Sequence, residues 1–260
     1  NTFSSPSYFS TFVEGNRIWL VGDRGTIRNT QADSLKLKNF DYARVDFDNQ
    51  KVYRFDSPAA GFVEDEFRIE PLDLKKSTFR DIQFIGKNGW IVGRGGILLT
   101  TQNGGESWTL ERLGMLNFND IHMVSPLRGF LVTDNGYLLS TETGGRKWKV
   151  REWADYSSSL NSIAFKGEKG IITGDRGTVL TSSNSGIDWT MSVIDEARRK
   201  NRHVNLNRAF FLNAATVWMV GDEGVLMNSE DGGKTWSSKK FQENNYLTVH
   251  FTNRDEGIVA

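Results

Sequence analysis

Acidic, basic and amide side chains recur in this chain at a fixed phase. Arg80, Asp81, Asn119, Asp120, Asn161, Asn207 and Arg208 stand one or two residues after Phe79, Phe118, Leu160 or Leu206. A second set, Asp23, Arg24, Arg94, Asp175, Arg176 and Asp222, lies beside glycines in short turns. Carboxylates such as Asp81 and Asp120, if brought across a channel, have the chemistry for acid and base catalysis of hydrolysis. The same groups on an open loop face would pair with a partner's charges instead. His122 and His250 hold equivalent positions, but one His per repeat is poor ligand spacing and reads as channel lining, so no metal and no cofactor is expected. With no Cys, thiolate sites and disulfides are excluded and the redox compartment stays open. The run Arg198-Arg199-Lys200-Asn201-Arg202-His203 suits an acidic protein surface or anionic headgroups.

Which chemistry applies depends on the elements that carry these residues. The chain has 260 residues, a length one β-rich domain can reach. Its 32 basic and 32 acidic residues cancel, which removes the global field that nucleic acid binding needs. Hydrophobic residues make up 38%, enough for a core, and 26 Gly against 4 Pro point to many tight turns between short strands. No apolar run is long enough for a transmembrane helix. The start, Asn1-Thr-Phe-Ser-Ser-Pro6, carries no signal segment, so the leader of an exported protein is expected to have been removed.

Four segments close in one pattern: Thr101-Gln-Asn103-Gly-Gly105-Glu-Ser-Trp108, Thr141-Glu-Thr143-Gly-Gly145-Arg-Lys-Trp148, Ser182-Ser-Asn184-Ser-Gly186-Ile-Asp-Trp189 and Ser229-Glu-Asp231-Gly-Gly233-Lys-Thr-Trp236. The tryptophans lie 40, 41 and 47 residues apart, the basic run accounting for the longest step. Twelve residues before each stands a glycine, Gly96, Gly136, Gly177 or Gly224, and Val21-Gly-Asp-Arg-Gly25 is a further copy of that turn. Each repeat reads as four strands: an Ile-x-Phe segment, an apolar run, a second apolar run, and a strand opened by Trp. Four-stranded units on this period predict an all-β propeller, a single domain over residues 1–260 with six to seven blades.

The first repeat is interrupted. Gly25 and Gly96 are 71 residues apart, so roughly thirty extra residues fall within 31–78, in or after the first blade. Phe67–Glu70 is expected as a delayed fourth strand, with an extra hairpin in Asp46–Phe55. Leu37 occupies the first blade's Trp position. At the other end, residues 248–260 open a further blade, and the native chain is expected to continue past it.

The boxed turns resemble the Asp-box, or BNR repeat, of sialidases and sortilin-type receptors. The tighter frame of Val220 to Trp236 is similar to that of the photosystem II stability and assembly factor family. Asn103, Thr143 and Asn184 depart from the boxed Asp. The resemblance implies a non-enzymatic propeller that docks partner proteins, including subunits of a membrane complex, in the thylakoid lumen, the periplasm or outside the cell. Strand order gathers the turn and mouth residues named above at one end of the blades, the candidate binding face, and the Asp-boxes at the other.

Two alternatives remain. Phe67-Arg68-Ile69-Glu70-Pro71 resembles the sialidase segment that supplies a carboxylate-binding Arg, although Glu70 is inserted and no Tyr–Glu nucleophile pair falls at the channel. A glycan-binding propeller would need exposed aromatic platforms, for which Trp153 and Tyr156 are available. The other tryptophans, Trp189 among them, are phased for the core.

Overall fold

The computed structural model describes residues 7–14, 17–31, 38–39, 45–57, 61–64, 73–151, 158–194, 198–199, 202–239 and 242–260. It is all-β, and its strands form propeller blades. Blade 1 holds β1 (Tyr8–Glu14), β2 (Arg17–Gly22), β3 (Ile27–Gln31) and β4 (Lys38–Asn39), and is followed by β5 (Val45–Ser57) and β6 (Gly61–Glu64). Blade 2 holds β7 (Phe79–Ile85), β8 (Asn88–Gly93), β9 (Ile97–Thr101) and β10 (Trp108–Leu113). Blade 3 comprises β11 (Phe118–Met123), β12 (Gly129–Thr133), β13 (Leu138–Thr141) and β14 (Lys149–Arg151). Blade 4 comprises β15 (Leu160–Lys166), β16 (Lys169–Gly174), β17 (Thr178–Ser182) and β18 (Thr190–Val193). A ribbon of β19 (Arg198–Arg199) and β20 (Arg202–His203) leads to blade 5: β21 (Leu206–Phe211), β22 (Val217–Gly221), β23 (Leu226–Ser229) and β24 (Ser237–Lys239). The hairpin of β25 (Val249–Phe251) and β26 (Gly257–Val259) follows. The described residues thus build five blades, four of them four-stranded sheets and blade 2 part of a six-stranded one, with two two-stranded pairs, β19–β20 and β25–β26.

The chain divides into two compact units, one of residues 1–131 with 138–152 and one of residues 132–137 with 153–260. The core of the first is built from Trp19, Phe79, Phe84, Leu99, Trp108 and Leu110. In the second, Ile171, Val179, Leu206, Met219, Met227 and Trp236 play that part.

The insertion lengthens a blade. The fourth position of blade 1 is taken by β4, at Lys38–Asn39, while Phe67–Glu70 lies outside the described residues. The long β5 runs parallel to β10, pairing Trp108 with Val45 and Leu113 with Tyr53, and β6 pairs antiparallel with β5. Blade 2 is therefore a six-stranded sheet whose outer edge is covered by the chain itself.

Each Asp-box is closed by its own short side chains. The Thr101 hydroxyl accepts from the amides of Asn103 and Gly105, and the Asn103 carbonyl oxygen accepts from Ser107 N. Thr141 with Thr143, Ser182 with Asn184, and Ser229 with Asp231 repeat this scheme. Asn103, Thr143 and Asn184 thus do the bonding of the boxed Asp, because the turn needs an acceptor oxygen at that place and not a charge. At Asp231 the Thr235 hydroxyl and amide hold the carboxyl well below the usual carboxylate range.

The residue before the second box glycine is left-handed throughout: Gly104, Gly144 and Gly232 have φ of 72–76°, and Ser185 has 59°. Only Ser185 carries a Cβ into that region. Ser185→Gly should therefore stabilise the protein by about 0.5–1 kcal/mol, read as a higher urea midpoint at unchanged slope.

Candidate functional site

At the mouth of the innermost strands the ladder slips by one residue. Between the first two strands of a blade, Tyr8 pairs with Gly22 and Ser10 with Val21; Phe79 with Gly93 and Asp81 with Val92; Leu160 with Gly174 and Ser162 with Thr173; Leu206 with Gly221 and Arg208 with Val220. Phe9, Arg80, Asn161 and Asn207 are thus the extra residues of four equivalent β-bulges, and a bulge re-aims its side chain. This is why residues of this phase face the turns instead of the ladder.

In the second unit two of them are latches between blades. Asn161 Nδ2 donates to Asp175 Oδ1 in its own blade's turn at 2.9 Å and to the Leu206 carbonyl of the next blade at 3.1 Å. Asn207 repeats this with Asp222 and the Tyr246 carbonyl, both at 2.9 Å.

In blades 1, 2, 4 and 5 the turn is also tied to the connection that follows it. The amides of Gly25, Gly96, Gly177 and Gly224 donate to the carbonyls of Ser77, Leu116, Val204 and Asn244 at 2.6–2.8 Å. Before them Arg24, Gly95, Arg176 and Glu223 have φ of 49–71°. The Gly95, Arg176 and Glu223 amides are capped by the side chains of Asn117, Asn205 and Asn245. Those three asparagines escaped the sequence reading. Their signal was present, since Asn117 and Asn205 immediately precede inner strands and Asn245 stands at the same repeat phase, before Tyr246.

In the first unit two acids of the candidate face, Asp81 and Asp120, are buried. Asp81 is 4% exposed and accepts from the Ser10 hydroxyl and from Ile121 N of the neighbouring inner strand. Asp120, 2% exposed, accepts from Ile121 N. Gln83 pairs through its amide with both Met123 N and Met123 O, so the free edge of β11 is covered by blade 2 side chains. Asp23 accepts from Ser7 N. In the connection, Asp73 accepts from Lys75 N and lies 3.4 Å from Lys76 Nζ.

The bases are placed differently. Arg24 and Arg94 are exposed at turn tips, as are Lys75 and Lys76 in the connection, and Arg80 lies 4.9 Å over the Phe9 ring. In the second unit Arg176 is exposed, while Arg208 and Asn207 are half-buried; in the first, so is Asn119. The backbone of β20, bearing Arg202, lies against the Asp175–Gly177 turn, and Arg198 pairs with His203 across the ribbon. The structure therefore gathers Asp23, Arg24, Arg80, Asp81, Arg94, Asn119 and Asp120 in one unit, and the remaining candidates in the other.

Among the described residues no cluster of three or more His, Cys, Asp or Glu has the arrangement of a metal site. His250 lies 4.5 Å from the Phe210 ring. Arg68, Trp153 and Tyr156 lie outside the described residues. Among those described, no helix is long and apolar enough to cross a membrane.

The family described as "Photosynthesis system II assembly factor YCF48" matches residues 59–117 and 113–198. The photosystem II assembly protein Ycf48 of Synechococcus sp. (strain JA-3-3Ab) is 31% identical over 77 residues, a stretch that spans 28% of this chain and only 23% of that protein. Among solved structures, YCF48 from Cyanidioschyzon merolae superimposes with a TM-score of 0.59 at 18% identity, covering 100% of this chain and 94% of the other. A YCF48 bound to a D1 peptide gives 0.51 at 20% identity, covering 98% and 90%. Likeness at such identities establishes the propeller fold.

Proposed function

Because the chain belongs to the photosystem II assembly factor YCF48 family, we propose that it is a non-enzymatic scaffold or assembly factor that docks an acidic segment of a partner protein on the connection-side ends of its blades. The observation that carries this reading is the unequal fate of charge there. Asp81, Asp120, Asp175 and Asp222 are taken up by hydrogen bonds within and between blades. Arg24, Arg94, Arg176, Lys75 and Lys76 are exposed. In the first unit the turns and the connection thus expose basic side chains while Asp81 and Asp120 are buried, and local potential steers a partner even where the chain's net charge is zero. That a YCF48 takes up a D1 peptide supports a polypeptide ligand for this chain too. Subunits of a membrane complex are the partner class, and the compartment proposed is the thylakoid lumen, the periplasm or the cell exterior. In the second unit we assign the same role to Arg198, Arg199 and Arg202.

The test is charge reversal at exposed tips. Arg24→Glu with Arg94→Glu should raise the Kd for an acidic peptide by at least about tenfold, chiefly through a slower on-rate and a weaker salt dependence, with Tm nearly unchanged. Unchanged affinity would leave these turns as plain solvated tips.

A further inference from the structure

Among the described residues, no strand pairs with the outer edge of blade 4. All four residues of β18, Thr190-Met191-Ser192-Val193, are exposed, the Met191 and Val193 side chains at 44% and 50%. Other outer strands carry the devices that blunt an edge: β10 is covered by β5, β14 bears Lys149 and Arg151, and β24 bears Lys239. No charged residue lies in β18.

Its register decides which backbone groups are offered. Ile194 N donates to the Gly177 carbonyl, and Ser192 and Thr190 lie opposite Val179 and Thr181 on the same alternation. Residues 190, 192 and 194 therefore spend their amides and carbonyls on β17, while those of Met191 and Val193 point away from the sheet. Two donors and two acceptors are thus set out one residue apart, flanked by apolar side chains.

We infer that β18 pairs with β18 of a second copy of this chain, antiparallel and about a two-fold axis at Ser192. In that register Met191 faces the partner copy's Val193 and exchanges both hydrogen bonds with it, and Val193 does so with the copy's Met191. All four outward groups are satisfied, and each apolar side chain meets one of its own kind. Ser192 faces its own counterpart in the close, non-hydrogen-bonded pair. The strand is self-complementary because it is uncharged; the same pairing at β14 would set Lys149 against Arg151.

Sedimentation equilibrium over a wide concentration range tests this directly. Wild type should show a reversible monomer–dimer equilibrium, with Met191 and Val193 amides gaining exchange protection as concentration rises while the Ser192 amide stays protected throughout. Ser192→Lys and Ser192→Glu, each placing like charges on the axis, should be monomeric and as thermostable as wild type. Mixed in equal amounts they should pair, with a Kd at least about tenfold below that of either alone. Val193→Pro removes one outward amide without touching the β17 ladder, and should also give monomers. A wild type that stays monomeric, a Ser192→Lys variant that dimerises as well as wild type, or a charge-swapped mixture that does not pair would each overturn the assignment. Capture of a foreign extended peptide by a monomeric wild type would do the same.

Discussion

Trp108→Ala should lower the unfolding free energy by about 3–5 kcal/mol, seen as a large fall in the denaturant midpoint. Trp108 is 1% exposed, and its ring meets Trp19 at 5.9 Å and Phe84 at 5.8 Å, both edge-on. Trp19 belongs to blade 1 and Phe84 to the inner strand of blade 2, so one side chain fills the seam between two blades. Truncation would open a cavity that two neighbouring sheets cannot collapse into, because each is held by its own ladder. Trp189 stands in the same repeat phase but is half-buried, with its ring against Phe165 at 5.6 Å and its Nε1 donating to the Gly186 carbonyl. Trp189→Ala should therefore cost clearly less. Equal losses for the two would mean that burial is not what distinguishes them.

Gly96→Ala should cost about 3 kcal/mol, and Gly95→Ala only about 1 kcal/mol. Both residues are left-handed, with φ of 74° and 71°, so both substitutions carry the same backbone strain. They differ in surroundings. A Cβ on Gly96 would sit 2.4 Å from the Gly114 carbonyl oxygen and 2.7 Å from that of Leu113, whereas nothing lies within 4 Å of one on Gly95. The Gly96 amide also donates to the Leu116 carbonyl at 2.6 Å, so a shift that relieves the overlap loses the tie to the connection. Parallel urea titrations of the two variants measure the difference. The first position already tolerates Arg24, Arg176 and Glu223 in other blades, which agrees with the smaller cost there.

The repeat was legible because its causes are local. Glycines at the turns, an acceptor side chain in each box and a tryptophan closing it are demands of single blades, and they recur wherever a blade recurs. What no period announces is a contact between a repeat and something outside it. Nothing in Val45–Ser57 says that it will run parallel to β10, since parallel pairing is set by where the neighbouring blade stands. The candidate face was legible as a set of positions, but not in the division of labour within it. Asn161 and Arg80 share one phase and one bulge, yet one latches blades and the other lies over an aromatic ring. Strand phase tells which way a side chain points, and only the neighbouring blade tells what it meets.

The ties made by the turn glycines of blades 1, 2, 4 and 5 run one way along the chain. Gly25 is completed by Ser77, Gly96 by Leu116, Gly177 by Val204 and Gly224 by Asn244, always by a residue still to come. On the ribosome, each of these four sheets must therefore wait with its tip unfinished until its successor begins to appear. Biosynthesis proceeds in the same direction as this completion, so order of emergence and order of closure coincide.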